Sequence, residues 1–240
     1  MSGSRSLAMA ACSTRFWLTF GAFYNCTDLD LMERVLLDSL IAAIVGYLFG
    51  AVPTGAVVAR LWGGVDLTKV GSGKTGATNV LRTLGPVPAA IVFIGDFLKG
   101  ALPVFLAGAL FGRDSWAIAV AGIAAVVGHV YSPFLGFKGG RGVVTGLSAL
   151  VALSPLAAGA GLLVGAAVIA TTRYVSLGSV TGTIVGGLSL LAQVLIGGQP
   201  LPHAAFALIV GTFIVVAHHD NIGRLLQGTE RRIGGPAEPA

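Results

Sequence analysis

The sequence predicts an all-α integral membrane protein of about seven transmembrane helices, and three observations carry that prediction. Apolar residues make up 55% of the 240 residues and charged residues only 10%, whereas a soluble domain carries about 25% charged residues. Apolar stretches near the roughly 20 residues that cross a bilayer recur along the chain. The cations between those stretches gather on alternate connections.

Residues 1–31 are only mildly apolar, hold both cysteines (Cys12 and Cys26) and precede a second methionine, Met32. They read as a disordered leader or an upstream start, outside the working domain. The first span covers about 35–59 and opens into a polar stretch with Arg60, Lys69 and Lys74. The second, 86–110, carries Asp96 and Lys99; three residues apart, they share a helix face and can pair. The third, 115–134, follows the short connection FGRDS (111–115). The fourth, 143–153, is short, and Pro155 separates it from the fifth, 156–172, as a tight turn would. The sixth, 177–197, and the seventh, 203–217, are joined by GGQPLPH (197–203). No inverted repeat is visible, so 32–233 reads as one domain, with GGPAEPA (234–240) as a frayed tail. The 36 glycines point to closely packed helices or to irregular backbone at a site.

Charge placement orients the domain. Odd-numbered connections and the C-terminal tail hold Arg60, Lys69, Lys74, Arg82, Lys138, Arg141, Arg173, Arg224, Arg231 and Arg232, while even-numbered connections hold Arg113 alone. The positive-inside rule then places the core's N-terminus outside and its C-terminus in the cytoplasm, and seven spans supply the parity. Nucleic acid is a poor partner, because no basic stripe lies on a soluble module.

The stretch GSGKTGATNVLRTLG, 71–85, has the ending of a phosphate-binding P-loop, but the first glycine of that motif falls at position 68, which is Thr68. A phosphate-binding role survives that failure, because glycines let backbone N–H groups approach an anion and Ser72, Lys74, Thr75, Thr78 and Arg82 add donors. The alternative is a flexible loop between helices. Three more polar clusters share its predicted membrane face: 128–146 with His129, Lys138 and Arg141, 171–182 with Ser176, and 217–230 with His218, His219, Asp220 and Asn221. Alone, each has a structural alternative as an interfacial anchor, a helix end or an amphipathic tail on the membrane. Together they put cations, glycine loops and histidines on one face, an inventory that suits an anionic, phosphorylated substrate and a proton moved near neutral pH. No Cys/His/Asp/Glu grouping has metal-ligand spacing. Asp96 and Lys99 are intramembrane charges, which cost enough to suggest function; a brace between helices is the structural alternative.

On these stretches the sequence resembles the bacterial membrane acyltransferases that use acyl-phosphate to acylate glycerol 3-phosphate, the PlsY family. Gly71–Arg82 resembles G-S-G-N-x-G-A-T-N-V-x-R, Asp96–Gly100 matches D-F-x-K-G, and Gly128–Gly142 matches the G-H…F-K-G-G-K-G stretch. Arg173–Leu177 matches R-Y-x-S-L, and His218–Ile222 matches H-R-x-N-I. Lys74 stands where the family has Asn, Arg141 replaces the second Lys of the glycine loop, and His219 and Asp220 replace Arg and Glu. The resemblance covers about 35–233 and implies a multi-pass protein of a bacterial inner membrane. It implies attack of the glycerol phosphate C1 hydroxyl on acyl-phosphate, with no cofactor and no metal, and an upstream acyl-carrier-protein-dependent enzyme supplying the acyl-phosphate. By the same resemblance Ser72, Asn79, Arg82, Lys138 and Arg141 bind substrate, and Gly139, Gly140 and Gly142 cradle the acyl-phosphate. His129 handles the proton, Ser176, His218 and Asn221 complete the catalytic site, and Asp96 and Lys99 support it. The H-x-x-x-x-D signature of other acyltransferases is absent. The rival class, a transporter of organic phosphates, would draw on the Asp96–Lys99 pair but binds near the midplane between repeats.

Overall fold

The structure, a computed structural model, describes residues 26–234, and the regular elements among them are all helical. In chain order the helices are α1 (Cys26–Ala51), α2 (Thr54–Gly63), α3 (Ala77–Leu84), α4 (Pro86–Phe111), α5 (Trp116–Val130), α6 (Val143–Leu153), α7 (Pro155–Thr172), α8 (Val175–Leu195), α9 (Leu201–Ala217) and α10 (His219–Leu226), with a 3₁₀ turn at Pro133–Leu135. Helix α1 starts inside the stretch read as a leader; residues 1–25 of that stretch, and 235–240 of the tail, lie outside the described residues.

Each of the seven expected spans is helical, but they are not seven equal crossings. Five helical stretches are long and apolar enough to cross a bilayer: Leu29–Gly63, Pro86–Phe111, Trp116–Leu135, Pro155–Thr172 and Val175–Leu195. A sixth forms if α9 and α10, bent by 56° at His218, count as one broken span. The expected fourth span, α6, reaches only about 16 Å by the helical rise, against a hydrocarbon core of about 30 Å. Its contacts explain the shortness. A Cβ on Gly100, halfway along α4, would lie 2.2 Å from Ser148 Oγ and 2.3 Å from the Thr145 carbonyl. The start of α6 is therefore recessed to mid-depth, and its end, at Ala152, lies beside Gly108 and Ile118 near the opposite face. The glycine loop 136–142 dips inward to meet it.

The first apolar stretch is also interrupted. Val52 and Pro53 break it into α1 and α2, as proline does by removing an N–H and clashing with the preceding turn. Backbone groups freed inside a membrane need partners, and α4 supplies them. Lys99 Nζ donates to the Val52 carbonyl at 2.9 Å, and Asp96 accepts a short hydrogen bond from the Thr54 hydroxyl.

Small residues set the packing. On α7 and α8, a Cβ at Gly161 would fall 2.6 Å from the Gly182 carbonyl oxygen, and one at Gly165 would fall 2.8 Å from that of Gly178. Small faces that bring backbones this close are how helices associate without a hydrophobic drive from water. The core joins Val104, Ala117, Ala121, Leu150, Leu190 and Phe206 across α4, α5, α6, α8 and α9. Large apolar side chains stay exposed on the outer surface, among them Leu36, Ile44, Leu163 and Leu195, as expected where lipid is the solvent.

Candidate active site

A cavity of about 340 Å3 opens among the four polar clusters. Its mouth is lined by Ser72, Lys74 and Arg82 from the first glycine-rich stretch, Arg141 and Gly142 from the second, Ser176 from the start of α8, and His218, Asn221 and Glu230 from the C-terminal end. Its body is apolar and runs between α6, α7, α8 and α9 past Leu147, Leu162, Ile169, Gly182 and Val210. Gly187, three turns along α8 from Ser176, and Phe206, on α9, line its far end. By the helical rise that is a depth of about 16–18 Å, close to half of a bilayer core of about 30 Å.

The first loop is held from within. Asn79 Oδ1 accepts from the Ser72 N–H at 3.1 Å, and Asn79 Nδ2 donates to the carbonyls of Val70 at 3.1 Å and Lys74 at 2.9 Å. A buried side-chain amide thus replaces the sheet or helix that the loop lacks. Asn79 lines the cavity, but the bonds it makes are to loop backbone. Gly71, at φ +60°, sits where a Cβ would strike Asn79 Oδ1 at 2.2 Å.

The second loop meets the site differently from the expectation. Gly139 N–H donates to the Val130 carbonyl at 2.9 Å and Gly140 N–H to the His129 carbonyl at 3.3 Å. A Cβ on Gly140 would lie 2.1 Å from His129 Nε2. These two glycines fold the loop back over the end of α5 and use their amides there. Lys138 is exposed, and none of Lys138, Gly139 and Gly140 lines the cavity. Arg141 and Gly142 do, and Gly142, at φ +81°, opens α6.

His129 lines the cavity beneath that loop, its Nδ1 3.6 Å from Asp96 Oδ1, and it carries no hydrogen bond on Nδ1. Asp96 and Lys99 pair at 2.8 Å; Asp96 reaches the cavity and Lys99 does not. His218 is placed at the bend between α9 and α10. Its Nδ1 lies 2.8 Å from the Ile214 carbonyl. A carbonyl only accepts, so Nδ1 carries the proton and Nε2 presents a lone pair.

The expected residues Ser176 and Asn221 converge on Glu230, which the sequence reading passed over. Ser176 Oγ and Asn221 Nδ2 each donate to Glu230 Oε1 at 2.8 Å, and Arg224 Nε donates to Oε2 at 2.8 Å. Burial pushes the Glu230 carboxyl up, but these bonds from Asn221, Ser176 and Arg224 outweigh it and hold it below the ordinary carboxylate value. Glutamate in an "LLQGTE" tail carries no local signal of function; only its partners reveal it. Arg141 is in the opposite condition. Burial pushes its guanidinium below the ordinary value, neighbouring Arg224 adds to that, and its Nε is buried without a hydrogen-bond partner. A half-buried cation beside Arg224 and Arg82, only partly offset by Glu230 and Asp220, is what an incoming anion would stabilise.

A family model described as glycerol-3-phosphate acyltransferase matches residues 40–228. The chain belongs to the glycerol-3-phosphate acyltransferase family. It is 48% identical over 198 residues to the glycerol-3-phosphate acyltransferase of Synechococcus sp. (strain JA-3-3Ab), covering 82% of this chain and 95% of that protein. It is 44% identical over 196 residues to the one from Aquifex aeolicus (strain VF5), covering 82% of this chain and all of that protein. Crystal structures of the integral membrane acyltransferase PlsY are similar in fold. The glycerol 3-phosphate form gives a TM-score of 0.76 at 44% identity, over 82% of this chain and 96% of that one. The lysophosphatidic acid form gives 0.74 at 43% identity, over 81% and 94%. The family relationship thus reaches this chain with the membrane architecture and the site-bearing stretches together.

Proposed function

We propose that this acyltransferase moves a fatty acyl group from acyl-phosphate to the C1 hydroxyl of glycerol 3-phosphate, giving 1-acyl-glycerol 3-phosphate and phosphate. The reaction would run at the cytoplasmic face of a bacterial inner membrane and would be the first acylation of phospholipid synthesis. One observation supports this reading above others: a cluster of Lys74, Arg82 and Arg141 stands at the mouth of an apolar cavity about one leaflet deep. Such a site accepts a chain below and phosphate above, as a single-chain acyl-phosphate and its acceptor require.

Ser72, Lys74, Arg82 and Arg141 supply donors for the two phosphate groups, Arg82 with the planar fork that matches phosphate oxygens. His218 Nε2 is the base that the geometry favours. The C1 O–H gives its proton to Nε2, the oxygen attacks the acyl carbonyl, and the tetrahedral intermediate collapses with loss of phosphate as the C–O bond to it breaks. The proton leaves on the departing phosphate. An acyl phosphate is a mixed anhydride with a good leaving group, so no covalent enzyme intermediate is required. An oxygen of the acyl-phosphate itself is the alternative base, in which case His218 orients the hydroxyl. His129, under the loop and beside Asp96, suits positioning of the Gly139–Gly142 segment. The acyl-phosphate would come from an acyl-carrier-protein-dependent enzyme.

Protein purified in detergent, given acyl-phosphate and glycerol 3-phosphate, should release phosphate and form the lysophospholipid in equal amounts, with no sealed compartment. Acyl-CoA in place of acyl-phosphate should give little or no product. Turnover with acyl-CoA alone, or no turnover with acyl-phosphate, would overturn the reading.

A further inference from the structure

Glu230 decides which way the hydrogen bonds of the site point. The tail returns to the site through Gly228 at φ +72°, and the Thr229 N–H closes the turn on the Arg224 carbonyl at 2.9 Å. Beyond Glu230 the chain is pinned again, with the Arg232 guanidinium 5.0 Å above the Tyr174 ring and the Ile233 N–H on the Arg173 carbonyl at 2.9 Å. Between these anchors the Glu230 side chain is 2% exposed, and its carboxylate takes three donors.

A carboxylate offers no proton, so each group facing it must donate. Ser176 therefore turns its O–H toward Glu230, and its oxygen faces the cavity as an acceptor only. Asn221 is held with its amide NH2 on Glu230, which fixes the orientation of the side chain on chemical grounds. Its Oδ1 is buried and has no hydrogen-bond partner. Both residues line the cavity. Next to the cations of the phosphate end there is thus an acceptor pair, one member of which is an unsatisfied buried carbonyl oxygen. Such an oxygen binds a hydroxyl group and penalises a ligand that lacks one.

We propose that Glu230 is a positioning residue, which fixes Ser176 and Asn221 as acceptors so that Asn221 Oδ1 reads the C2 hydroxyl of the acceptor substrate. The inference rests on the glycerol 3-phosphate reading above. Glu230 lines the mouth, but its carboxylate is taken up by Ser176, Asn221 and Arg224, so it acts by setting the polarity of the first two.

The test compares glycerol 3-phosphate with its analogue lacking the C2 hydroxyl, 1,3-propanediol monophosphate. The wild-type enzyme should prefer glycerol 3-phosphate by about tenfold or more in kcat/KM, the effect of one unsatisfied buried acceptor. In Glu230→Gln the charged Arg224 claims the amide oxygen, because charge-assisted bonds are the stronger. The amide NH2 then faces Ser176 and Asn221, and Asn221 must turn its oxygen away from substrate. The preference should fall to within about threefold, with Glu230→Asp recovering part of it. The double variant Glu230→Gln/Asn221→Asp reverses the bond but completes it and leaves a carboxylate oxygen toward the cavity, so the preference should return. That double variant also carries the test if Glu230→Gln alone does not fold. Wild-type preference retained in Glu230→Gln, or preference lost in the double variant, would each overturn the inference. A wild-type enzyme that turns over neither acceptor would instead sink the substrate reading.

Discussion

Lys99 Nζ lies 2.8 Å from Asp96 Oδ1 and is bound at the same time to the Val52 carbonyl at 2.9 Å. The pair, both members nearly fully buried, therefore closes the backbone gap between α1 and α2. That gap carries Thr54 and the start of the polar stretch toward Ser72, so two intramembrane charges hold one wall of the site.

Lys99→Met should accordingly destabilise the protein by about 3–5 kcal/mol, since it strands a buried carboxylate and leaves the Val52 carbonyl with the Thr54 N–H alone. Asp96→Asn, which keeps a hydrogen-bonding oxygen for Thr54 and Lys99, should cost less. Thermal unfolding in detergent measures both, and an unchanged melting temperature in Lys99→Met would show that the pair braces nothing.

Arg82 stands at the exposed rim, where one amino group of its guanidinium also donates to the Arg231 carbonyl at 3.3 Å. Arg82→Lys keeps the charge and loses the fork. The KM for glycerol 3-phosphate should rise about ten- to a hundredfold, equivalent to about 1–3 kcal/mol, with a smaller change in kcat. Steady-state kinetics with the acceptor varied decides this, and an unchanged KM would remove Arg82 from the binding set.

The two histidines should separate in kinetics. His218→Gln keeps a donor for Ile214 but loses the titrating Nε2, and kcat should fall by about 10²–10⁴ with little change in KM. His129→Gln should lower kcat by less than about tenfold if His129 only supports the loop. Profiles over about pH 5.5–8.5 complete the comparison: the limb set by a histidine should vanish with His218→Gln and persist with His129→Gln. The reverse pattern would return proton handling to His129.

Glu230 makes stability depend on pH with a definite sign. Its carboxyl is held below the value of 4.5 it would have when unfolded. Its contribution is therefore complete above that value and is lost as pH falls through the lower folded value. Melting temperature should drop on acidification through this range in the wild type and drop less in Glu230→Gln. Equal acid sensitivity in the two proteins would exclude Glu230 as the source.

Topology can be read directly. A cysteine placed near Arg113 should react with an impermeant reagent only from outside the cell, and one near Lys138 only from the cytoplasm, as the one-sided cations require. Labelling at Arg113 solely from the cytoplasm would invert the map.

The sequence alone determined much of this molecule, because bilayer chemistry writes itself into composition. The helical class, the approximate positions of the long apolar helices, and the stretches that would form the site follow from apolar runs interrupted by polar clusters, whereas the early start and break of the first stretch and the short helices α3 and α10 do not. Their meeting in one cavity was foreseen from the single face they share, and Ser72, Arg82, Arg141, Gly142, Ser176, His218 and Asn221 all line it. What the sequence could not determine depends on distance rather than on order. The shortness of α6 follows from where Gly100 receives it, and Pro53 marks a break whose repair by Asp96 and Lys99 needs α4 alongside. Gly139 and Gly140, read as a cradle, turn their N–H groups onto α5 because the loop folds back over His129. Glu230 acquires its place only when a tail of ordinary sequence returns across the start of α8 to meet Ser176, 54 residues away in the chain. Local pattern reports which solvent a segment prefers; which buried donor finds which acceptor is set by tertiary packing, and here that pairing orients the site.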